Sequence, residues 1–343
     1  MTKTDFYFLP TMIGSMPHTD PKAAVDIITH YLRDIPVWPQ LPRRSYLEGM
    51  SAQFSQGLPG VNINQDKMWI EPNSGFEGEL ESLYQAYLDN DFNKFPIGVE
   101  YAAGLYELAS RSNLSPKLVK GHITGPLTYC MSIKDPSGKD ILYDEVLSDA
   151  ATKLLKLKAS WQEHFLKKIC RNTIIFVDEP AMSAYGSAYL PLSREQVTGM
   201  FEEVFSGISG LKGVHCCGNT DWSILMDTSV DIINFDTYAY ADSLAIYTDA
   251  LQAFIKRGGA VAWGIVPTDE KALKEETAAS LKDRLEAAMS HFDSKGLPFA
   301  ELARHSLITP ACGLGLKSLD AAERAPELLA ELSALLRRKH GTV

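Results

Sequence analysis

The residues best suited to chemistry lie in one stretch, Gly213-Val214-His215-Cys216-Cys217-Gly218-Asn219-Thr220-Asp221-Trp222. It sets an imidazole and a thiol two residues apart at the end of a short apolar run. Alternate residues of a strand share a face, so His215 and Cys217 can project together while Cys216 points elsewhere. Two further candidate ligands close other apolar runs: Asp236 after Val230-Asp231-Ile232-Ile233-Asn234-Phe235, and Cys312 after Ser306-Leu307-Ile308-Thr309-Pro310-Ala311. A histidine, two cysteines and a carboxylate meeting at one end of a sheet make a tetrahedral zinc site. Zinc in such a site takes the proton from an incoming thiol, whose free pKa is about 8.5. Each residue also has a plainer role open to it. Buried cysteines are common and inert, His215 would be a hydrogen-bonded core histidine, and Asp236 would cap a helix or pair with a cation.

The elements that must position these side chains alternate along the chain. Strand-like runs fall at 6–13, 36–42, 118–123, 173–177, 214–215, 231–235, 260–266 and 307–309. Thr173-Ile174-Ile175-Phe176-Val177 is the clearest, a continuous apolar run of the kind that buried parallel strands show. Helical patterns follow Asp20-Pro21, an N-cap with proline at the first helical position. They recur over 78–88, 141–169, 193–208, 241–256, 274–290 and 317–338, with Ser193 and Gln196 as a candidate capping box. This alternation, without a clear linker, predicts one α/β domain over residues 1–343, a TIM (β/α)8 barrel. An open doubly wound sheet is the alternative. The polar motifs all follow strands, where barrel enzymes build their sites. Residues 45–95 break the pattern and read as an irregular excursion, with a hairpin within 57–69.

Composition narrows the class. With 343 residues, 45% of them hydrophobic, a globular core is expected. A formal charge of −10 disfavours a polyanionic partner, so no nucleic acid is expected. The first ten residues lack the apolar core of a signal peptide, and no apolar run reaches membrane-spanning length. Five cysteines, an odd number, do not form a disulfide framework and fit a reducing, cytoplasmic setting.

Five motifs, Ile13-Gly14-Ser15, Thr124-Gly125-Pro126, Asp178-Glu179-Pro180-Ala181, His215-Cys216-Cys217 and Cys312-Gly313-Leu314, occur in this order at strand ends. Together they resemble the C-terminal catalytic barrel of the cobalamin-independent methionine synthases, over nearly the whole chain. The histidine–cysteine motif is also similar to that of methylcobalamin:thiol methyltransferases, and the wider superfamily includes uroporphyrinogen decarboxylase. The resemblance implies a zinc-dependent S-methyltransferase that holds homocysteine as a zinc-bound thiolate and methylates it to methionine. By motif match, His215, Cys217 and Cys312 fall on the family's zinc ligands, and Asp236 stands where the family has a glutamate. Ser15 and the backbone of Ile13 match the homocysteine-contacting turn, and Asp178 matches a carboxylate that holds the substrate's amino group.

Two departures bear on substrate and donor. Gln40 stands where the family has a second homocysteine-binding carboxylate, which keeps another small thiol, such as coenzyme M, in view. Trp263-Gly264-Ile265-Val266-Pro267-Thr268 lacks the histidine that the family uses to protonate the leaving nitrogen of folate. The chain is also shorter than the full-length enzymes, whose N-terminal half helps to hold folate. An amine leaving from methyltetrahydrofolate needs a proton, whereas cob(I)alamin leaving from methylcobalamin does not. The favoured donor is therefore methylcobalamin or a methylcorrinoid carried by a corrinoid protein, with methyltetrahydrofolate as the alternative. A uroporphyrinogen decarboxylase-like enzyme is a second enzymatic reading, although that chemistry needs no thiolate ligands. A non-catalytic zinc or corrinoid-binding protein is the reading outside enzymology.

Overall fold

The apolar runs become parallel strands, and the helical patterns between them become the crossovers that parallel pairing requires. The computed structural model describes residues 5–341, so both extremes of the 1–343 span, including part of the stretch read for a signal peptide, lie outside the described residues. The strands are β1 (Leu9–Pro10), β2 (Val61–Ile63), β3 (Met68–Ile70), β4 (Val119–Thr124), β5 (Thr173–Asp178), β6 (Leu211–Cys216), β7 (Ile232–Phe235), β8 (Ala260–Val266) and β9 (Ser306–Pro310). Seven of them form one curled parallel sheet in the order β1-β9-β8-β7-β6-β5-β4. Helices fall where the patterns placed them, among them Pro21–Tyr31, Glu145–Leu166, Arg194–Phe205, Ala278–Ser290 and Leu319–His340. The Ser193–Gln196 capping box forms, with each side chain bonding the other's backbone. Among the described residues, no helix is long and apolar enough to cross a membrane.

Strand alternation divides the core in two. Val119, Ile123, Ile175, Val177, Val214, Ile233, Val261 and Ile308 face outward into the layer shared with the helices. Leu9, Leu118, Ile174, Phe176, Ile232, Ala260, Ala262 and Leu307 face inward and form a separate apolar cluster inside the curl. Toward the C-terminal strand ends the inward positions turn polar, with Lys120, His122, Thr124, His215, Asn234 and Thr309 all buried.

The expected eighth strand, 36–42, is not regular. Val37 bridges Lys120 of β4, and Gln40 bridges Ser15 beyond β1, each as an isolated parallel pair. Pro36, Pro39 and Pro42 remove amide donors, so a continuous ladder cannot form there. A side chain fills the gap. The Gln162 carboxamide accepts from the His122 N–H at 2.9 Å and donates to the His122 carbonyl at 2.8 Å. It also accepts from the Trp38 indole at 2.9 Å. Gly121 makes this approach feasible, because a Cβ there would lie 2.0 Å from the Gln162 oxygen. The curled parallel sheet thus matches the α/β expectation, while the ladder stops at seven regular strands rather than eight.

β1 is also shorter than its apolar run. Tyr7 and Phe8 take φ values of 41° and 61°, which interrupts extended backbone just before Leu9. The 45–95 excursion holds the β2–β3 hairpin, with Val61 opposite Ile70, followed by the helix Phe76–Leu88. It docks through Ile70, whose N–H donates to the Lys134 carbonyl at 2.8 Å.

Candidate metal centre

β6 carries His215 one residue before its end, and Cys217 follows directly after the strand. Cys312 lies two residues past the end of β9. One ligand atom from each of His215, Cys217 and Cys312 lies within 4.8 Å of the other two. Tetrahedral zinc with bonds of about 2.0–2.3 Å sets its ligand atoms roughly 3.5–3.8 Å apart, so a small closure suffices and the donor set fits zinc. His215 is buried, and both cysteines are half-buried. The contact with Cys312, and then the nearness of His215, hold the Cys217 thiol well below its ordinary range, and the same Cys217 contact pushes Cys312 up. Cys216 points elsewhere, buried, with its sulfur against the Gly218 carbonyl.

The ring of His215 is fixed by Asn234 of β7, its neighbour in register. Asn234 donates through Nδ2 to the Ala262 carbonyl at 2.7 Å and to Thr309 Oγ1 at 2.8 Å. Its Oδ1 therefore faces His215 Nδ1 at 2.5 Å as an acceptor, which puts the proton on Nδ1. Nε2 is left with a free lone pair, the tautomer a metal-binding histidine needs.

Asp236 lies near enough to feel the charge of Cys217 but is not part of the three-residue cluster. It is the N-cap of the short helix Thr237–Tyr240, where Oδ1 accepts from the Ala239 N–H at 2.8 Å. Burial and the negative charge of Cys217 push its carboxyl above the usual range. Through Oδ1, Asp236 plays the helix-capping role weighed from sequence. Three candidate ligands converge, and three protein ligands is the number that catalytic zinc sites use.

The Ile13-Gly14-Ser15 turn lies against the Cys312 loop. The Ser15 carbonyl accepts from the Leu314 N–H at 2.9 Å, and its Oγ accepts from the Gly315 N–H at 3.3 Å. Gly14 has φ +146°, and a Cβ there would lie 2.7 Å from the His122 ring. The Ile13 carbonyl accepts from the buried Lys120 ammonium at 2.7 Å. Gln40 reaches the same turn by its backbone, but its side-chain amide donates to Gln53 Oε1 at 2.9 Å.

Asp178 ends β5 in register with His215. Its Oδ1 is enclosed without a hydrogen-bond partner. Burial pushes this carboxyl up to about 6, against the pull of Lys120 and His215. The next residue, Glu179, is engaged elsewhere. Its carboxylate instead accepts from the Leu127 and Thr128 N–H groups at 2.9 and 2.7 Å, tying the β4 loop to β5. The sequence reading gave no role to Lys120 or Asn234 and none to His122. Their signal was present, since each is a polar residue on the inward face of an otherwise apolar strand.

No protein-family model matches the sequence, and no curated protein matches it. Solved structures do match. A B12-independent methionine synthase from Shewanella sp. W3-18-1, in complex with selenomethionine, superposes with a TM-score of 0.61 at 15% identity, over 97% of this chain and 98% of that one. Those chains share one fold. A candidate vitamin-B12-independent methionine synthase from Listeria monocytogenes gives 0.57 at 13% identity, over 94% and 87% of the two chains. A methyltransferase from Methanosarcina mazei gives 0.50 at 12% identity, over 93% and 87%. The family expected from the five motifs is thus the one whose fold this chain shares.

Proposed function

We propose that this chain is a zinc-dependent S-methyltransferase that methylates homocysteine to methionine. The observation that carries the reading is the convergence of His215, Cys217 and Cys312 from stretches almost a hundred residues apart (about 95, counting along the chain) on one strand-end cluster. Zinc there would supply the positive charge that keeps an incoming thiol deprotonated at neutral pH. The remaining work belongs to the chain. Asn234 holds the His215 tautomer, and Asp178 offers an enclosed carboxylate to the substrate's ammonium. The Ile13–Ser15 turn, tied to the Cys312 loop, forms the wall beside the substrate. Holding thiol and methyl donor together supplies much of the remaining rate.

The selenomethionine held by the Shewanella protein supports a product of the methionine class. Gln40, engaged by Gln53, leaves Asp178 as the acidic contact, so a thiol such as coenzyme M is the rival substrate. For a decarboxylase the thiols would have no task, and for structural zinc a fourth protein ligand would be needed. We take residues 1–343 as one functional unit, with 45–95 packed onto it. The five unpaired cysteines support a reducing, cytoplasmic setting.

The proposed donor is a methylcorrinoid presented by a partner protein. Val266-Pro267-Thr268, at the end of β8, carries no imidazole to protonate a folate amine. With a corrinoid, the C–S bond forms as the C–Co bond breaks and its electron pair stays on cobalt. The Shewanella and Listeria proteins carry names that exclude B12, so the donor must be tested on this chain directly. Zinc-loaded protein should form methionine from homocysteine with methylcobalamin and not with methyltetrahydrofolate. Turnover with folate alone would overturn the donor assignment. Turnover with neither donor would overturn the function.

A further inference from the structure

One buried group near the proposed site has no task so far. His122 is 3% exposed, yet neither ring nitrogen has a hydrogen-bond partner. A neutral imidazole left this way strands one donor and one acceptor, each unsatisfied at a cost in stability. Its position is nevertheless tightly set. The ring stacks on Trp38 with centroids 4.0 Å apart, and its backbone is clamped by Gln162. It lies directly beneath Gly14 in the Ile13–Ser15 turn.

A second orphan sits nearby on the next strand. Thr124 pairs with Asp178 in the β4–β5 ladder and His122 pairs with Phe176, so His122 and Asp178 share the inward face one side-chain step apart. That step is roughly 7 Å along the strand. Asp178 Oδ1 is the enclosed atom without a partner. Two unpartnered polar groups therefore lie on the same inward face of the sheet, on the strands beside the one that carries His215.

We propose that His122 reads the polar end of the substrate, donating its ring N–H to a carboxylate while Asp178 takes the ammonium. This rests on the thiol-methyltransferase reading above and adds to it the residue that selects a thiol ending in an α-amino acid. The division of labour follows from charge. Burial first, and then the nearby Lys120 ammonium, oppose protonation of His122, so the imidazole is neutral, and the Lys120 charge favours an anion beside it. Asp178, one step further along the same face, favours a cation.

The test uses zinc-loaded protein and calorimetric titration with three thiols: homocysteine, 4-mercaptobutyrate, which keeps only the carboxylate, and propanethiol, which has neither charged group. His122→Met removes both ring nitrogens and keeps an adaptable apolar side chain. It should weaken homocysteine and 4-mercaptobutyrate by about tenfold, the worth of one hydrogen bond to a charged group. Propanethiol should bind as before, which also reports that fold and metal survive. His122→Gln, which restores an N–H donor, should recover part of the loss. Equal weakening of all three thiols, or no weakening of homocysteine, would overturn the role of His122. Loss for homocysteine but not for 4-mercaptobutyrate would overturn the carboxylate assignment. If the unmodified protein binds none of the thiols, the proposed function itself fails and this inference goes with it.

Discussion

The two ends of the curled sheet are built from the same strands and do opposite things. At the N-terminal end the inward side chains are Leu118, Ile174, Ile232, Ala260 and Leu307, an apolar floor with no polar group to satisfy. At the C-terminal end the same strands deliver Asp178, His215, Asn234 and Thr309, and the loops beyond add Cys217 and Cys312. A few residues along each strand separate burial that stabilises from polarity that costs stability. The floor holds the strands in register, and register aims the polar groups. Lys120 marks the border, with its ammonium 4.3 Å from the Phe176 ring centroid and hydrogen-bonded to Ile13.

If that division holds, substitutions at the two ends should separate cleanly. The largest functional effect belongs to the mouth. Cys312→Ser should lose bound zinc and at least about 100-fold in methyl transfer, a ligand counting for more than the supporting contacts around it. Its thermal midpoint in the metal-free state should stay close to the unmodified protein's. Retained zinc and turnover would erase the distinction between the ends. Phe176→Ala, at the floor, should cost about 3–5 kcal/mol in denaturant unfolding. Its folded fraction should still bind one zinc by elemental analysis.

A middle-sized effect tests how the floor's register serves the mouth. Asn234→Ala removes the acceptor that sets the His215 tautomer, and zinc affinity should fall by about 10–100-fold in a chelator competition. An unchanged affinity would show that His215 needs no help from β7. The smallest effect is expected at the border. Folded Lys120 loses its proton at about 8, because burial lowers it from 10.5 against the pull of Asp178. Between those values the unfolded chain binds the extra proton, so stability contributed through Lys120 rises with pH. The unfolding free energy of the unmodified protein should therefore gain on that of Lys120→Met from about pH 8 upward, by at most about 1.4 kcal/mol per unit. A constant difference across that window would mean that Lys120 stays charged.

Sequence and structure agree best where the pattern is strongest. β5 and β8 were legible because continuous apolar runs bounded by turns leave buried parallel strands as the simplest solution. The 36–42 segment was legible as extended but not as a partial strand. What replaces its ladder is Gln162, a side chain more than a hundred residues away that no local pattern links to His122. Of the candidate ligands, His215, Cys217 and Cys312 were readable because each ends a strand, and the sheet order brings β6 and β9 to one rim. Asp236 met the same description, and one of its two oxygens, Oδ1, is engaged by the backbone of its own helix, a local competition that spacing cannot rank. Asn234 and His122 were visible as polar letters within apolar runs. Their roles depend on partners from other strands, or on having none, and only the fold supplies that.

The central claim is that three distant side chains hold a zinc ion open to an incoming thiol. X-ray absorption at the zinc edge, on the metal-loaded protein before and after adding homocysteine, tests it most directly. The account predicts one zinc per chain with two sulfur neighbours and one imidazole, and a third sulfur once homocysteine is added. A zinc shell that does not change on adding the thiol, or one lacking the two protein sulfurs, would contradict it.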